Sequence, residues 1–145
     1  MIVVDANVSL KWFMPEQGMA EAFGVLRSGR KLVAPWVIRD EVVSGLVRRV
    51  RREELSTQEA RDAIGEWLRE LQLQTVHLID DESLLSEAAE LGFELKHPLY
   101  DCLYLALAER LEVPFVTADK TFFDRAKTVS NNAHWLYELD MLLAA

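Results

Sequence analysis

The sequence predicts an α/β fold in which a central, mostly parallel sheet of four to five strands lies between two layers of helices. Short, wholly apolar segments alternate along the chain with longer segments whose apolar residues recur at helical spacing. This alternation is typical of βαβ units, whose parallel strands are covered on both faces. The chain has 145 residues, half of them hydrophobic, and we expect residues 1–145 to form a single domain.

The first half of the chain contains three predicted strands and the helices between them. Ile2-Val3-Val4 is apolar at consecutive positions, as is typical of a strand buried on both faces. Pro15 marks a turn before a predicted helix over 16–26, which Ser28-Gly29 ends. The remaining elements of this half are a strand at 31–34 closed by Pro35, a helix over 36–53, a helix opened by a Ser56/Glu59 capping box, and a strand at 75–79.

The second half begins with a predicted helix that is led by Asp80-Asp81-Glu82 and ended by Gly92. The next helix, opened by Pro98, is almost wholly apolar and yet carries Asp101 in its first turn. An ionised carboxylate beside an apolar core requires a cationic or hydrogen-bonding partner. The remaining predicted elements are a strand at 115–117, a short helix over 122–126, an edge strand at 133–136 and an amphipathic turn over 139–143.

Composition excludes several classes of protein. The net charge of −8 argues against a protein that coats nucleic acid non-specifically, which would be basic. Cys102 is the only cysteine, so neither an intramolecular disulfide nor a cysteine-based zinc site is expected. The sequence has no signal-peptide pattern and no apolar run of about 18 residues, so we expect a cytoplasmic protein that does not enter a membrane.

Four acidic residues, Asp5, Glu41, Asp101 and Asp119, lie at a strand end or early in a helix that follows a strand. The carboxyl ends of parallel strands meet at one edge of a sheet, so Asp5 and Asp119 are expected to be close although they are 114 positions apart. Carboxylates that converge repel one another unless a divalent cation joins them. With no histidine or cysteine expected nearby, oxygen ligands favour Mg²⁺ or Mn²⁺ over zinc.

Each of these acids also has an ordinary structural interpretation. The helix dipole favours an aspartate at the position of Asp101, and Glu41 alone is typical of a solvated helix residue. Asp119 is also suited to cap the following helix. Asp124, on that helix, is a candidate fifth acid or a surface residue.

Arginines follow Glu41 along its helix. Arg48 and Arg52 lie 7 and 11 residues after Glu41, which places all three on one helix face. Such a ridge suits a phosphodiester backbone that approaches the carboxylates. The alternative is a solvated face whose arginines pair with Glu53 and Glu54.

The order and spacing of these segments resemble PIN-domain ribonucleases, and specifically the VapC-type toxins of toxin–antitoxin pairs. The resemblance spans nearly the whole chain. The matching segments are Val4-Asp5-Ala6-Asn7, Lys11-Trp12-Phe13, Ala34-Pro35 with Glu41 and Leu46, the run from His97 to Ala108, and Phe115-Val116-Thr117-Ala118-Asp119 with Phe122.

The resemblance implies a PIN-like fold and an endoribonuclease that uses Mg²⁺ or Mn²⁺ to activate water for phosphodiester cleavage. It also implies an RNA substrate, a cognate antitoxin and a homodimer. The implied catalytic residues are Asp5, Glu41, Asp101 and Asp119; Asp5, Asp101 and Asp119 are the implied metal ligands, with Glu41 and Asp124 as further candidates. Asn7, Thr117 and Ser44 are the implied substrate-orienting residues, where Ser44 stands in place of a frequent asparagine.

Two other functions are compatible with parts of the pattern. One is a PIN-fold protein that binds or processes RNA outside a toxin–antitoxin system. The other is a receiver-like phosphoacceptor domain, which requires paired acids after the first strand and a lysine at the end of a late strand. Asp5 has no acidic neighbour, and Lys120 follows Asp119, so the sequence disfavours the receiver.

Overall fold

The computed structural model describes residues 1–139, and within this range the chain forms five strands and seven α-helices. In chain order these are β1 (Ile2–Val4), α1 (Ala6–Ser9), α2 (Met19–Leu26), β2 (Leu32–Pro35), α3 (Ile38–Arg51), α4 (Thr57–Gln72), β3 (Val76–Ile79), α5 (Leu85–Leu95), α6 (Leu99–Leu111), β4 (Phe115–Thr117), α7 (Lys120–Ala126) and β5 (Ala133–Trp135). Short 3₁₀ segments cover Leu10–Trp12, Glu82–Leu84 and Leu136–Glu138.

The five strands form one sheet in the order β3-β2-β1-β4-β5, and all four pairings are parallel. Crossovers between parallel strands are right-handed, which places α1–α4 on one face of the sheet and α5–α7 on the other. The predicted α/β class with helices on both faces is therefore confirmed, and 133–135 is the predicted edge strand. Receiver domains have the order 2-1-3-4-5, so the sheet order disfavours that alternative.

The central position of β1 brings distant parts of the chain together. Ile2 pairs with Leu32 on one side, while Val4 pairs with Val116 on the other. The backbone N–H of Asp5 continues this ladder by donating to the carbonyl of Val116 at 3.1 Å. The residues that follow β1 are therefore adjacent to those that end β4.

Helix α6 forms the centre of one helical layer. Residues 102–108 are all buried, and the helix packs against β1, β2, β4 and α5. A helix that is apolar around its circumference is typical of a protein interior. Pro98 in an extended conformation precedes the first turn, and Glu112 ends the helix with a φ of 55°. This buried helix is a rigid support for Asp101.

The segment between β1 and β2 differs from the prediction. Residues 6–12 form α1 and a 3₁₀ turn, which the sequence pattern did not reveal, and the next helix begins at Met19 instead of at residue 16. Gly18 precedes it with a φ of 89°, a conformation that favours glycine. Glu16 lies outside the helix, and its carboxylate pairs with Lys11 and Arg49 at 3.1 and 3.0 Å.

The prediction that Gly92 ends a helix is wrong, since α5 continues to Leu95 and ends where Lys96 adopts a φ of 53°. A side chain at Gly92 would bring its Cβ within 3.2 Å of the carbonyl oxygen of His97. Gly92 therefore allows the chain to fold back closely between α5 and α6. The capping box of α4 is present as predicted, with Ser56 and Glu59 each accepting the other's backbone N–H at 3.0 Å.

The amphipathic turn predicted over 139–143 falls almost wholly outside the described residues. Within residues 1–139, no helix combines the length and the apolar character that a membrane crossing requires.

Truncation of the central helix tests its role as the support of the fold. We expect Leu105→Ala to lower the free energy of unfolding by about 2–5 kcal/mol, because Leu105 is fully buried and its loss leaves a cavity. Urea denaturation measures this change. Leu111→Ala on the same helix is the matched control, with a loss below about 1 kcal/mol because Leu111 is 37% exposed. Equal losses would contradict the assigned role of α6.

Candidate active site

A polar cavity of about 270 Å³ lies beyond the carboxyl ends of β1 and β4. Its acidic lining comes from three separate parts of the chain, namely Asp5 after β1, Glu41 in the first turn of α3, and Asp101 in the first turn of α6. Asn7 also lines it. Three of the four predicted acids therefore share one cavity at the predicted edge of the sheet.

Thr117 connects the ends of the two central strands. Its buried hydroxyl donates to Asp5 Oδ2 at 2.9 Å and accepts from Asn7 Nδ2 at 3.2 Å and from the backbone N–H of Asp119 at 3.1 Å. Asn7 Oδ1 in turn accepts from the backbone N–H of Ala118 at 2.9 Å. The network fixes the side chains of Asp5 and Asn7 relative to the ends of β1 and β4.

Glu41 is held from the opposite helical layer. The Tyr104 hydroxyl donates to Glu41 Oε1 at 2.6 Å, and the Tyr104 side chain is fully buried within α6. A hydrogen bond of this length to a carboxylate is strong and fixes its orientation. Tyr104 is thus a positioning residue for Glu41, and the sequence pattern did not identify it.

Asp101 and Asp119 meet beside a histidine. His97 Nε2 lies 2.6 Å from Asp101 Oδ2, and ligand atoms of His97, Asp101 and Asp119 all lie within 4.8 Å of one another. Asp119 Oδ1 accepts from the backbone N–H of Phe122 at 3.1 Å and so caps α7, as its structural interpretation predicts. The expectation that no histidine lies near the acids is wrong, because the turn between α5 and α6 brings His97 to the edge of the sheet.

The acids destabilise one another's charged forms. Burial, followed by the charges of Asp101 and Glu41, raises the pKa of Asp5 well above its ordinary value, against the hydrogen bond from Thr117. Burial also raises the pKa of Glu41 and that of Asp101; Tyr104 opposes the first shift and His97 the second. Such shifts are typical of acids arranged for a function.

The donor set fits a hard divalent cation. Asp5 and Glu41 form no ion pair within residues 1–139, although the charge of Arg48 acts on Glu41 from a greater distance. Carboxylate oxygens from Asp5, Glu41 and Asp101 face one cavity, and Asp119 lies next to Asp101. Oxygen ligands at this density are those that Mg²⁺ and Mn²⁺ prefer.

Two arginines of α3 line the cavity. Arg48 lies near enough for its charge to lower the pKa of Glu41. Arg49 also lines it, and its guanidinium donates to Glu16 at 3.0 Å and to the carbonyl of Gly45 at 3.3 Å. Arg52, the C-cap of α3, does not line the cavity. The sequence pattern identified Arg48 as a residue of the helix face that borders the acids, but it did not assign Arg49 to that site.

Two other candidates lie away from this cavity. Ser44 is exposed on α3 and is not among the residues that line it. Asp124 forms ion pairs with Lys120 and Lys127 at 3.1 and 3.2 Å, and its side chain is 47% exposed. The structure therefore does not bring Asp124 to the other acids.

Of the residues that the sequence pattern missed, only His97 carried a usable signal. His97 stands four positions before Asp101, a separation at which two side chains meet on a helix. Helix α6 itself starts only at Leu99, so the pair depends on the turn that places His97 against it. Tyr104 lies in a wholly apolar run, where its hydroxyl had no visible partner in the sequence.

These features define an α/β domain whose ligand site lies beyond the carboxyl ends of its parallel strands and is lined by carboxylates. The sequence profile of the PIN domain family matches residues 2–129. The chain belongs to the PIN domain family.

Curated relatives agree with this assignment. The chain is 32% identical over 124 residues to a VapC ribonuclease of Mycobacterium bovis and to ribonuclease VapC9 of Mycobacterium tuberculosis, a match that covers 86% of this chain and 90% of each relative.

Among solved structures, a protein of Pyrobaculum aerophilum has a TM-score of 0.72 at 19% identity over 99% of this chain and 88% of that one. A toxin–antitoxin complex from Klebsiella pneumoniae gives a TM-score of 0.62 at 19% identity, covering 94% and 98%. Both structures support the fold.

The raised pKa values predict a distinctive pH dependence for the metal-free protein. Between the ordinary pKa of 3.8 and its raised value, folded Asp5 retains a proton that the unfolded chain has released. Stability in EDTA therefore falls as the pH rises through this range. Asp5→Asn removes this contribution, so we expect its melting temperature at pH 7 to exceed that of the wild type by a few degrees. Thermal unfolding from pH 4 to 8 measures both effects.

Asp124→Asn is the matched control for this experiment. Its carboxylate is exposed and paired with two lysines, which lower its pKa, so the same substitution leaves the melting temperature nearly unchanged. A wild-type protein whose stability in EDTA rises from pH 5 to pH 8 would contradict the assigned electrostatics.

Proposed function

We propose that this protein is a metal-dependent endoribonuclease and the toxin of a VapBC-type toxin–antitoxin pair. The observation that carries the proposal is the convergence of Asp5, Glu41 and Asp101 on one cavity. Membership of the PIN family and similarity to proteins named VapC ribonucleases support both the activity and the toxin role.

The proposed reaction is hydrolysis of an RNA phosphodiester bond. A bound Mg²⁺ or Mn²⁺ supplies a Lewis acid that makes water nucleophilic and stabilises charge on the phosphate. Asp5, Asp101 and Asp119 would hold the cation, with Glu41 as a further ligand or as acceptor of the proton of the attacking water. Thr117 and Tyr104 preset the orientation of Asp5 and Glu41, so little reorganisation accompanies the reaction.

The arginines of α3 are proposed to position the RNA backbone. Arg48 lines the cavity with the acids, and Arg52 lies one turn further along the same face. Arg49 is held by Glu16, which fixes its guanidinium at the rim. A phosphate beside Arg48 lies next to the carboxylates, as cleavage requires.

The remaining parts of the proposal concern the context of the activity. We propose that residues 1–145 form one PIN domain, that two copies form a homodimer, and that the protein acts in the cytoplasm. A cognate antitoxin would occlude the acidic cavity and suppress cleavage. The resemblance to VapC-type toxins supports the homodimer and the antitoxin, and the Klebsiella structure, a toxin–antitoxin complex, supports the antitoxin partner.

The acids are tested by neutral substitutions of similar shape. We expect Asp5→Asn and Asp101→Asn each to reduce RNA cleavage by roughly 10³-fold or more, because each removes a ligand from the cation site. Cleavage of labelled RNA by purified protein, with Mg²⁺ and after EDTA, measures the effect. EDTA is expected to abolish wild-type cleavage and excess Mg²⁺ to restore it.

Asp124→Asn again serves as the control and is expected to retain wild-type cleavage, since its carboxylate pairs with lysines away from the cavity. Circular dichroism establishes that each variant is folded. Undiminished cleavage by folded Asp5→Asn or Asp101→Asn would reject this site.

RNA binding tests the arginines separately from cleavage. In EDTA, Arg48→Gln is expected to weaken RNA binding several-fold and to reduce the slope of log K against log salt by about one, since one phosphate contact is lost. Fluorescence anisotropy at several salt concentrations measures both. Arg52→Gln, outside the cavity, is expected to have a smaller effect, and the reverse ranking would reject the proposed path of the backbone.

A further inference from the structure

His97 is held on three sides within the cluster that contains Asp101. Its side chain is 6% exposed and its ring stacks on Phe122 with centroids 4.4 Å apart. One ring nitrogen, Nε2, lies 2.6 Å from Asp101 Oδ2, and the other, Nδ1, lies 2.9 Å from Arg125 Nη1. Both nitrogens are therefore engaged, and the ring plane is fixed.

These contacts determine which nitrogen carries the proton. A guanidinium only donates hydrogen bonds, so His97 Nδ1 must accept the bond from Arg125. With Nδ1 as the acceptor, Nε2 is the ring nitrogen that bears hydrogen, and it donates to Asp101. Arg125 Nη1 also lies 3.2 Å from the carbonyl oxygen of Lys96, which anchors the guanidinium to the turn before α6.

The same contacts argue against a direct bond between His97 and a metal. A ligating imidazole nitrogen must offer a lone pair, and Nε2, the nitrogen nearest the carboxylates, offers a proton instead. The other nitrogen faces Arg125. His97 is therefore a partner of Asp101 and not an additional ligand, although its ring lies within the ligand cluster.

We propose that Arg125 and His97 form a positioning relay that fixes the carboxylate of Asp101 for cation binding. In this relay His97 Nε2 binds Oδ2 of Asp101, which leaves Oδ1 of Asp101 available to the cation. The inference rests on the proposed cation site and deepens it, because it assigns an orienting role to two residues that do not contact the cation. Partners of this kind typically affect metal affinity by 10–100-fold.

The stacking of His97 on Phe122 extends the relay to the fourth acid. The backbone N–H of Phe122 donates to Asp119 Oδ1, so the ring that supports His97 belongs to the residue that orients Asp119. Phe122 is fully buried against Phe115, with ring centroids 5.8 Å apart. One packed unit thus orients Asp101 and Asp119 together.

Mn²⁺ binding without RNA tests the relay. His97→Phe preserves a ring that stacks on Phe122 but removes the donor to Asp101, and we expect Mn²⁺ affinity to fall about 10–100-fold, as measured by electron paramagnetic resonance. His97→Gln restores an amide donor near the position of Nε2 and is expected to recover affinity to within about threefold of the wild type. Arg125→Met, at an exposed residue, is expected to weaken binding to an intermediate extent.

The nitrogen coupling of bound Mn²⁺ separates the relay from direct ligation. We expect no directly coordinated nitrogen in the wild type, and a coordinated ¹⁴N signal that His97→Phe removes would overturn the inference. Equal Mn²⁺ affinity of folded His97→Phe and wild type would also overturn it, while wild-type RNA cleavage would stand. Wild-type protein that binds Mn²⁺ but cleaves no RNA would instead reject the proposed function and leave the comparison of variants valid.

Discussion

The hydroxyl of Thr117 is the contact on which the geometry of the acidic edge depends. It donates to Asp5 and accepts from Asn7 and from the backbone of Asp119, so one buried oxygen joins the ends of β1 and β4. The parallel register of these strands places the hydroxyl there, since Val4 pairs with Val116. Removing the hydroxyl would leave the buried carboxylate of Asp5 without this donor, at a cost of about 1–3 kcal/mol, and would remove the acceptor shared by the half-buried Asn7 and Asp119.

The convergence of carboxylates at this edge lowers the stability of the folded protein and prepares the site for its function. Burial raises the pKa of Asp5, Glu41 and Asp101, and the charges of these acids oppose one another's ionisation. The apolar helix α6 and the central sheet offset this cost, because both contribute fully buried side chains to the core that lies beside the acids. Stored electrostatic strain of this kind is typical of functional sites in otherwise well-packed domains.

The sequence predicts more of the fold than of the site's supporting contacts. Apolar runs and capping signals identify the strands and long helices. Parallel topology alone predicts that Asp5 and Asp119 lie at the same edge of the sheet. Tertiary contacts determine the supporting contacts of the site. The turn that Gly92 permits places His97 against Asp101, and Tyr104 donates a hydrogen bond to Glu41 on a helix in the other layer. The four-residue spacing of His97 and Asp101 is a local signal for the first of these pairs, whereas only packing between elements brings Tyr104 to Glu41.

The central position of the N-terminal strand has a consequence for biosynthesis. One partner of β1, the strand β2, begins at Leu32, but its other partner, β4, begins only at Phe115, more than a hundred residues after β1. Asp5 therefore lacks its Thr117 partner, and the cluster lacks Asp101 and Asp119, until residues 101–119 have left the ribosome. A nascent chain that is shorter than this carries no assembled acidic site.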